Sequence, residues 1–263
     1  MGHLLKIEWL KLKNYRTFWV LSILFPISIF GINYIIHSVF EREELKSPGA
    51  SIFVGGPPFA FPQVWQSVSY LSGFLLFFPG LLLIITITNE YSYKTHRQNI
   101  IDGLSRWQFV MVKMLLALII SIVSTILVFL TALFFGETDG GSPLTFDGLK
   151  YIGYFFLQSL SYCGLAMLFS MLFKRSGITI GVFFLYSLIL ERMIAGILNK
   201  YVGNVGYFFP LRAGDSLIPF PFFKTISRRL FTLPDLTYLL IAVFIYFILY
   251  FFLIKRKFET SDL

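Results

Sequence analysis

Two adjacent ionisable residues, Glu191 and Arg192, stand inside a stretch from Ile178 to Leu198 that is otherwise free of charge. On insertion scales a lone ionisable side chain within a membrane span costs roughly 2.5–3.5 kcal/mol, so each must be paired or put to use. Neighbouring helical positions point about 100° apart, so the two face each other poorly and each is expected to meet a different partner. Snorkelling of Arg192 toward the outer interface is the milder alternative. Catalytic chemistry leaves little trace elsewhere. No Gly-x-x-x-x-Gly-Lys-Ser/Thr phosphate loop occurs. His3, His37 and His96 are scattered, with no His-Glu-x-x-His and no Cys/His cluster at zinc spacing, and the single Cys163 sits in an apolar run. Apart from Glu191 the carboxylates lie in connections, tails or at span ends. The sequence assigns no catalytic, cofactor-binding or metal residue, and an enzyme is disfavoured.

The other polar feature is the run 89–106, held directly between two long apolar segments. Its pattern is a short helix from about Glu90 to Asp102. Gly103 suits the left-handed position past a helix end, and Ser105 with Gln108 forms a capping box that opens the next helix. Tyr93, Arg97, Ile100 and Ile101 follow the i, i+4, i+7, i+8 spacing of one helical face. An aromatic, a guanidinium and two aliphatics are the composition that anchors protein interfaces. Lys94, Arg97, Arg106 and Lys113 place the run on the cytoplasmic side. An ordinary solvated basic loop is the competing reading.

The elements that must position these residues are membrane helices. Hydrophobic residues make up 56% of the 263 positions and charged ones 14%, against about 25% charge in a soluble domain. The expected fold is all-α, one polytopic transmembrane domain over 1–263 with six spans at 17–40, 64–88, 107–135, 149–173, 178–198 and 236–254. Pro26 and Pro79 fall inside the first two, where kinks are expected. Residues 1–16 read as an interfacial helix with Leu5, Trp9 and Leu12 on one face. The net charge of +8 sits in short connections where it meets anionic lipid, so it is no signal for nucleic acid. Thirteen Lys and Arg fall on the side of the termini and eight on the other, which puts both termini in the cytoplasm. The connection 199–235 is rich in Phe and Pro, too apolar for water, and is expected to dip into the membrane as a re-entrant external segment.

The stretch Glu90 to Lys113 resembles the cytoplasmic connection between the second and third helices in permease subunits of ABC-2 type ATP-binding-cassette transporters. The matching residues are Glu90, Thr95, Arg97, Gly103, Ser105, Arg106 and Lys113, with Lys94 where the family usually has Gly. The layout of the whole chain is also similar. The resemblance implies a multi-pass permease of a bacterial cytoplasmic membrane that lacks its own ATPase. It would pair with a second permease, identical or related, and receive two copies of a separate ATP-binding-cassette ATPase, which carry the ATP and Mg. The run 89–106 would be the coupling segment, with Glu90, Tyr93, Arg97, Ile100, Ile101, Gly103 and Arg106 as its working residues. Export of an amphipathic or hydrophobic substrate, a peptide antibiotic or a lipid-like molecule, is the leading expectation. A membrane immunity or scaffold protein is the alternative. A secondary transporter is disfavoured for want of an inverted repeat and midplane carboxylates.

Overall fold

The structure, a computed structural model, describes residues 2–42, 57–95, 98, 101, 103–139, 147–222 and 233–260. These form helices and turns, with no strand among the described residues. A short helix α1 (Gly2–Lys13) leads into α2 (Arg16–Phe40). Then come α3 (Val64–Gly73), α4 (Phe77–Ser92), α5 (Arg106–Asp139) and α6 (Lys150–Phe173). Helix α7 (Ser176–Phe184) continues through a π-helical turn (Leu185–Leu190) into α8 (Glu191–Tyr201). A 3-10 turn (Asn204–Phe208), the short α9 (Pro210–Asp215) and the terminal α10 (Leu236–Thr260) complete the chain. Among the described residues five helical units are long and apolar enough to cross a membrane, and α3 with α4 makes a sixth when the bent pair counts as one span.

That pair departs from the single helix expected over 64–88. The two halves meet at 44°, and Pro79 explains where. Its ring crowds the carbonyl of Leu75 and it offers that carbonyl no N–H, so the α-helical ladder cannot run through the turn before it. Tighter bonds bridge the gap, from the Leu75 N–H to Ser72 O, Leu76 to Gly73 and Phe78 to Leu75. Pro26 has no such effect on continuity, since α2 passes through it as one helix. The fifth span also differs from expectation. It runs over Ser176–Tyr201, and the π turn inside it ends at the residue before Glu191. A π turn inserts extra backbone and rotates everything beyond it, so it decides which way Glu191 and Arg192 face.

Helix α6 is the axis of the bundle. Its most apolar window is 61% buried, against 17–28% for the other unbroken spans, and α3, α4, α5, α7, α9 and α10 all pack on it. Small side chains allow the approach: Ser159, Ser161, Cys163, Ala166 and Ser170 are buried along it, and a Cβ added at Gly164 would lie 2.8 Å from the Tyr250 ring of α10. Between helices in lipid this close backbone approach takes the place of a hydrophobic driving force. The outward faces carry exposed Ile, Leu and Phe, as on α2 and α10, which is the surface hydrocarbon requires.

Candidate functional site

Helix α1 carries one carboxylate among its basic residues. Glu8 is 5% exposed, because α1 presents it, with Leu12, to the bundle. Trp9 turns the other way onto Phe18 and Trp19, so the face expected to hold Leu5, Trp9 and Leu12 together is divided. Glu8 meets Lys113 of α5, whose side chain is wholly buried, and Lys113 also reaches Glu90 Oε2 of α4 at 2.9 Å. Lys11 closes the figure, donating to Glu90 Oε1 at 2.6 Å and to Glu8 Oε1 at 3.2 Å. Two carboxylates and two ammoniums thus alternate around a ring, and each carboxylate spends one oxygen on each ammonium. Burial pulls the Lys11 ammonium down, but Glu90 and Glu8 more than reverse this, and its pKa lies above the ordinary lysine value. At neutral pH Lys11 is charged. Three separate segments, α1, α4 and α5, are tied at one point.

The polar run begins where this ring ends. Glu90 belongs to the last turn of α4, and the chain breaks at Tyr93 and Lys94, with Lys94 in the left-handed region at φ 57°. That is the position where the family resemblance called for Gly. Helical backbone resumes at Thr95, Gln98 and Ile101, and Gly103 ends it at φ 98°. The expected single helix from Glu90 to Asp102 is therefore two pieces, and Tyr93 sits in the turn between them, not on a shared face with Ile101. Arg97 and Ile100 lie outside the described residues. Tyr93 is 73% and Ile101 83% exposed, a large apolar presentation for a segment outside the spans. The capping box forms in both directions: the Gln108 N–H donates to Ser105 Oγ at 3.2 Å, and the Ser105 N–H to Gln108 Oε1 at 3.0 Å. It starts α5 at Arg106, which is half-buried.

Comparison with known families decides the kinship of this arrangement: the ABC-2 family transporter protein profile matches residues 4–190. The chain belongs to the ABC-2 family. A comparison with curated proteins returns no match. As an ABC-2 protein with five to six apolar spans it is a multi-pass membrane permease subunit of an ABC transporter, and the family pairs such subunits with an ATP-binding cassette subunit. The ring residues Glu8, Lys11, Glu90 and Lys113 all fall within the matched region.

The two ionisable residues of the fifth span sit in the other half of this ABC-2 permease, around the bend between α3 and α4. Glu191 is 1% exposed. Its Oε1 accepts from the Leu211 N–H at 2.6 Å and the Arg212 N–H at 2.8 Å. Glu191 thus caps the N-terminus of α9 from a different helix, supplying the acceptor that local sequence does not. Arg192 instead lies over the Phe74 ring, 5.6 Å from its centre. The expectation that each meets a different neighbour is what the structure has, and Arg192 packs inward on an aromatic instead of reaching for the interface. Asp215, at the end of α9, accepts from Gln158 Nε2 at 2.8 Å and from the Tyr162 hydroxyl at 3.4 Å. Short elements of the 199–235 connection are pinned to the spans: Tyr246 donates to Phe208 O, Gln66 to Pro219 O, and Phe222 stacks on Phe40.

Sequence reasoning missed Glu8, Lys11, Arg212, Asp215 and Gln158. Glu8 had a signal, the only acid in α1, set between Leu5 and Leu12 at helical spacing. In the sequence Lys113 marks the cytoplasmic side and belongs to the family resemblance, and neither signals its buried ion pairs.

Proposed function

We propose that this permease moves an amphipathic or hydrophobic substrate outward, driven by ATP and Mg bound to two copies of a separate cassette ATPase, with a second permease completing the transmembrane unit. In this reading α1 and the segment between α4 and α5 face the cytoplasm of a bacterial cell. The ATPase docks on that segment, and Tyr93, Arg97, Ile100 and Ile101 supply the contact. The observation that carries the reading is the ion pair between Glu90 and wholly buried Lys113. It clamps together the two spans that flank an exposed apolar segment, so force applied there reaches α4 and α5 as one body and is not absorbed by a loose loop.

The test replaces Tyr93 and Ile101 together by alanine. Both side chains are exposed, so the double variant should insert and melt as the parent does. Truncating two interface anchors commonly costs about 2 kcal/mol or more, a loss of roughly thirtyfold in affinity. Copurification of the ATP-binding cassette subunit and substrate-dependent ATPase stimulation should therefore drop together. A well-folded double variant that retains its full complement of ATPase would remove the docking role. Copurification with no stimulation by any amphipathic substrate would favour the immunity or scaffold alternative.

A further inference from the structure

The bend between α3 and α4, the face of α6, α8 and α9 line a half-open cavity of about 680 Å³, within the range of volumes that hold a drug-sized ligand. Its wall is mixed in a particular way. Tyr70, Phe74, Tyr207 and Phe220 supply aromatic surface, and Arg192, Arg212 and Asp215 supply charge. Among the described lining residues two guanidiniums face one carboxylate. The carboxylate is already engaged, by Gln158 and Tyr162. The guanidiniums are not saturated: Nε of Arg192 and Nε of Arg212 are buried without a hydrogen-bond partner, and so is Oε1 of Gln158. Leaving a buried donor unmade is costly, and costlier for a charged group. The cavity therefore presents one unused Nε–H on each of two guanidiniums and one neutral acceptor, beside aromatic walls.

We infer that this cavity binds the headgroup of an anionic amphiphile, a phosphodiester or carboxylate with a neighbouring hydroxyl, seated between Arg192 and Arg212 with its aliphatic tail along the aromatic wall. The guanidinium fork matches two oxygens of such an anion. Gln158 Oε1 receives the hydroxyl. Glu191 is not among the lining residues, and its Oε1 is turned to the N–H groups of α9. A cationic ligand is disfavoured, since it would add to the two guanidiniums and find one carboxylate already used. The site is independent of the docking surface at the other end of α4, and it stands whether or not the ATPase reading holds.

The test uses the full chain, purified in a neutral detergent, and native mass spectrometry with an equimolar mixture of phosphatidylglycerol and phosphatidylcholine of the same acyl chains. The first retained adduct should be phosphatidylglycerol. Arg192→Gln with Arg212→Gln should weaken it by about tenfold or more. Because Arg212 also sits on α9, a second variant fills the cavity without touching a charge. An added Cβ at Gly196 meets nothing within 4 Å, so Gly196→Leu points into the space, and in a helix it should hold or raise the melting temperature. It should weaken the same adduct by a comparable factor. Asp215→Asn, which removes the opposing charge, should strengthen it. Free glycerol phosphate at the same concentration should not displace the lipid. Equal retention of phosphatidylcholine, displacement by glycerol phosphate, or unchanged binding in a folded Gly196→Leu protein would each overturn the assignment.

Discussion

The two charged regions of this permease are built on opposite plans. Near α1, four ionisable groups from three helices satisfy one another in a closed ring, and Lys113 is wholly buried. At the far end of the same span, Arg192 and Arg212 line an open cavity with donor atoms unused. Gly73 and Glu90 are seventeen residues apart along α3 and α4, roughly 25 Å at 1.5 Å per residue. A closed ring resists change, because any motion that parts its members exposes a buried charge. An open set of donors gains from change, because a ligand or a closing helix completes it. The first is suited to transmitting force and the second to receiving a molecule.

The sharpest way to break the comparison is to strand the ring. Lys113→Ala leaves Glu8 and Glu90 buried side by side without the ammonium that lies between them. Removing one partner of a buried pair costs about 3–5 kcal/mol in soluble proteins, and polar contacts in membranes often measure less. The thermal midpoint should fall by more than for any single change at the cavity. The neutral triple variant Glu8→Gln, Glu90→Gln, Lys113→Met should recover most of the loss, because the penalty lies in the orphaned charge and not in the missing bond. If Lys113→Ala melts with the parent, the ring bears no structural load.

The second comparison lies within the fifth span. Glu191→Ala removes two hydrogen bonds from the start of α9, together about 1–3 kcal/mol before any membrane discount. Arg192→Ala removes a stacked guanidinium, about 0.5–1 kcal/mol. Thermal denaturation should therefore separate two neighbours that sequence treats as one charged pair. Equal losses would mean that Glu191 and Arg192 act together after all.

These differences mark how far the sequence could be read. The spans, the capping box at Ser105 and the turn at Gly103 are local, set by apolar length and by side chains within a few residues, so they can be seen in the chain itself. The ring is not local. Glu8 lies 105 positions from Lys113, and nothing in either neighbourhood specifies the other. The cavity is harder still, since it depends on a π turn that redirects Glu191 and on a bend whose place Pro79 signals but whose angle depends on packing. Glu191 and Arg192 stood out by the rarity of charge in a span. Arg212 and Asp215 did not, because in a connection charge is ordinary.

The smallest effect tests the junction between the ring and the turn that follows α4. Lys94 holds φ 57° and Lys174, just past the end of α6, holds φ 56°, a conformation that costs a non-glycine residue about 1 kcal/mol or more. Glycine removes that strain but loses more freedom on folding, about 0.5–1 kcal/mol, so the net gain at an unencumbered site is a few tenths of a kcal/mol. Lys94 is such a site: it is exposed, and its place in the turn is set by backbone bonds from Tyr93 to Asn89 and from Lys94 to Tyr91. Lys174 is not, because its ammonium lies 5.5 Å from the centre of the Tyr91 ring, next to Glu90, and a cation over an aromatic face is worth about 0.5–1 kcal/mol at an exposed site. Lys94→Gly should therefore raise the melting temperature slightly, and Lys174→Gly should leave it unchanged or lower it. If both substitutions stabilise alike, the Lys174 contact with Tyr91 contributes nothing, and α6 is not fastened to the ring through it. If Lys94→Gly destabilises, the lysine makes a contact of its own in the turn that outweighs its strained backbone.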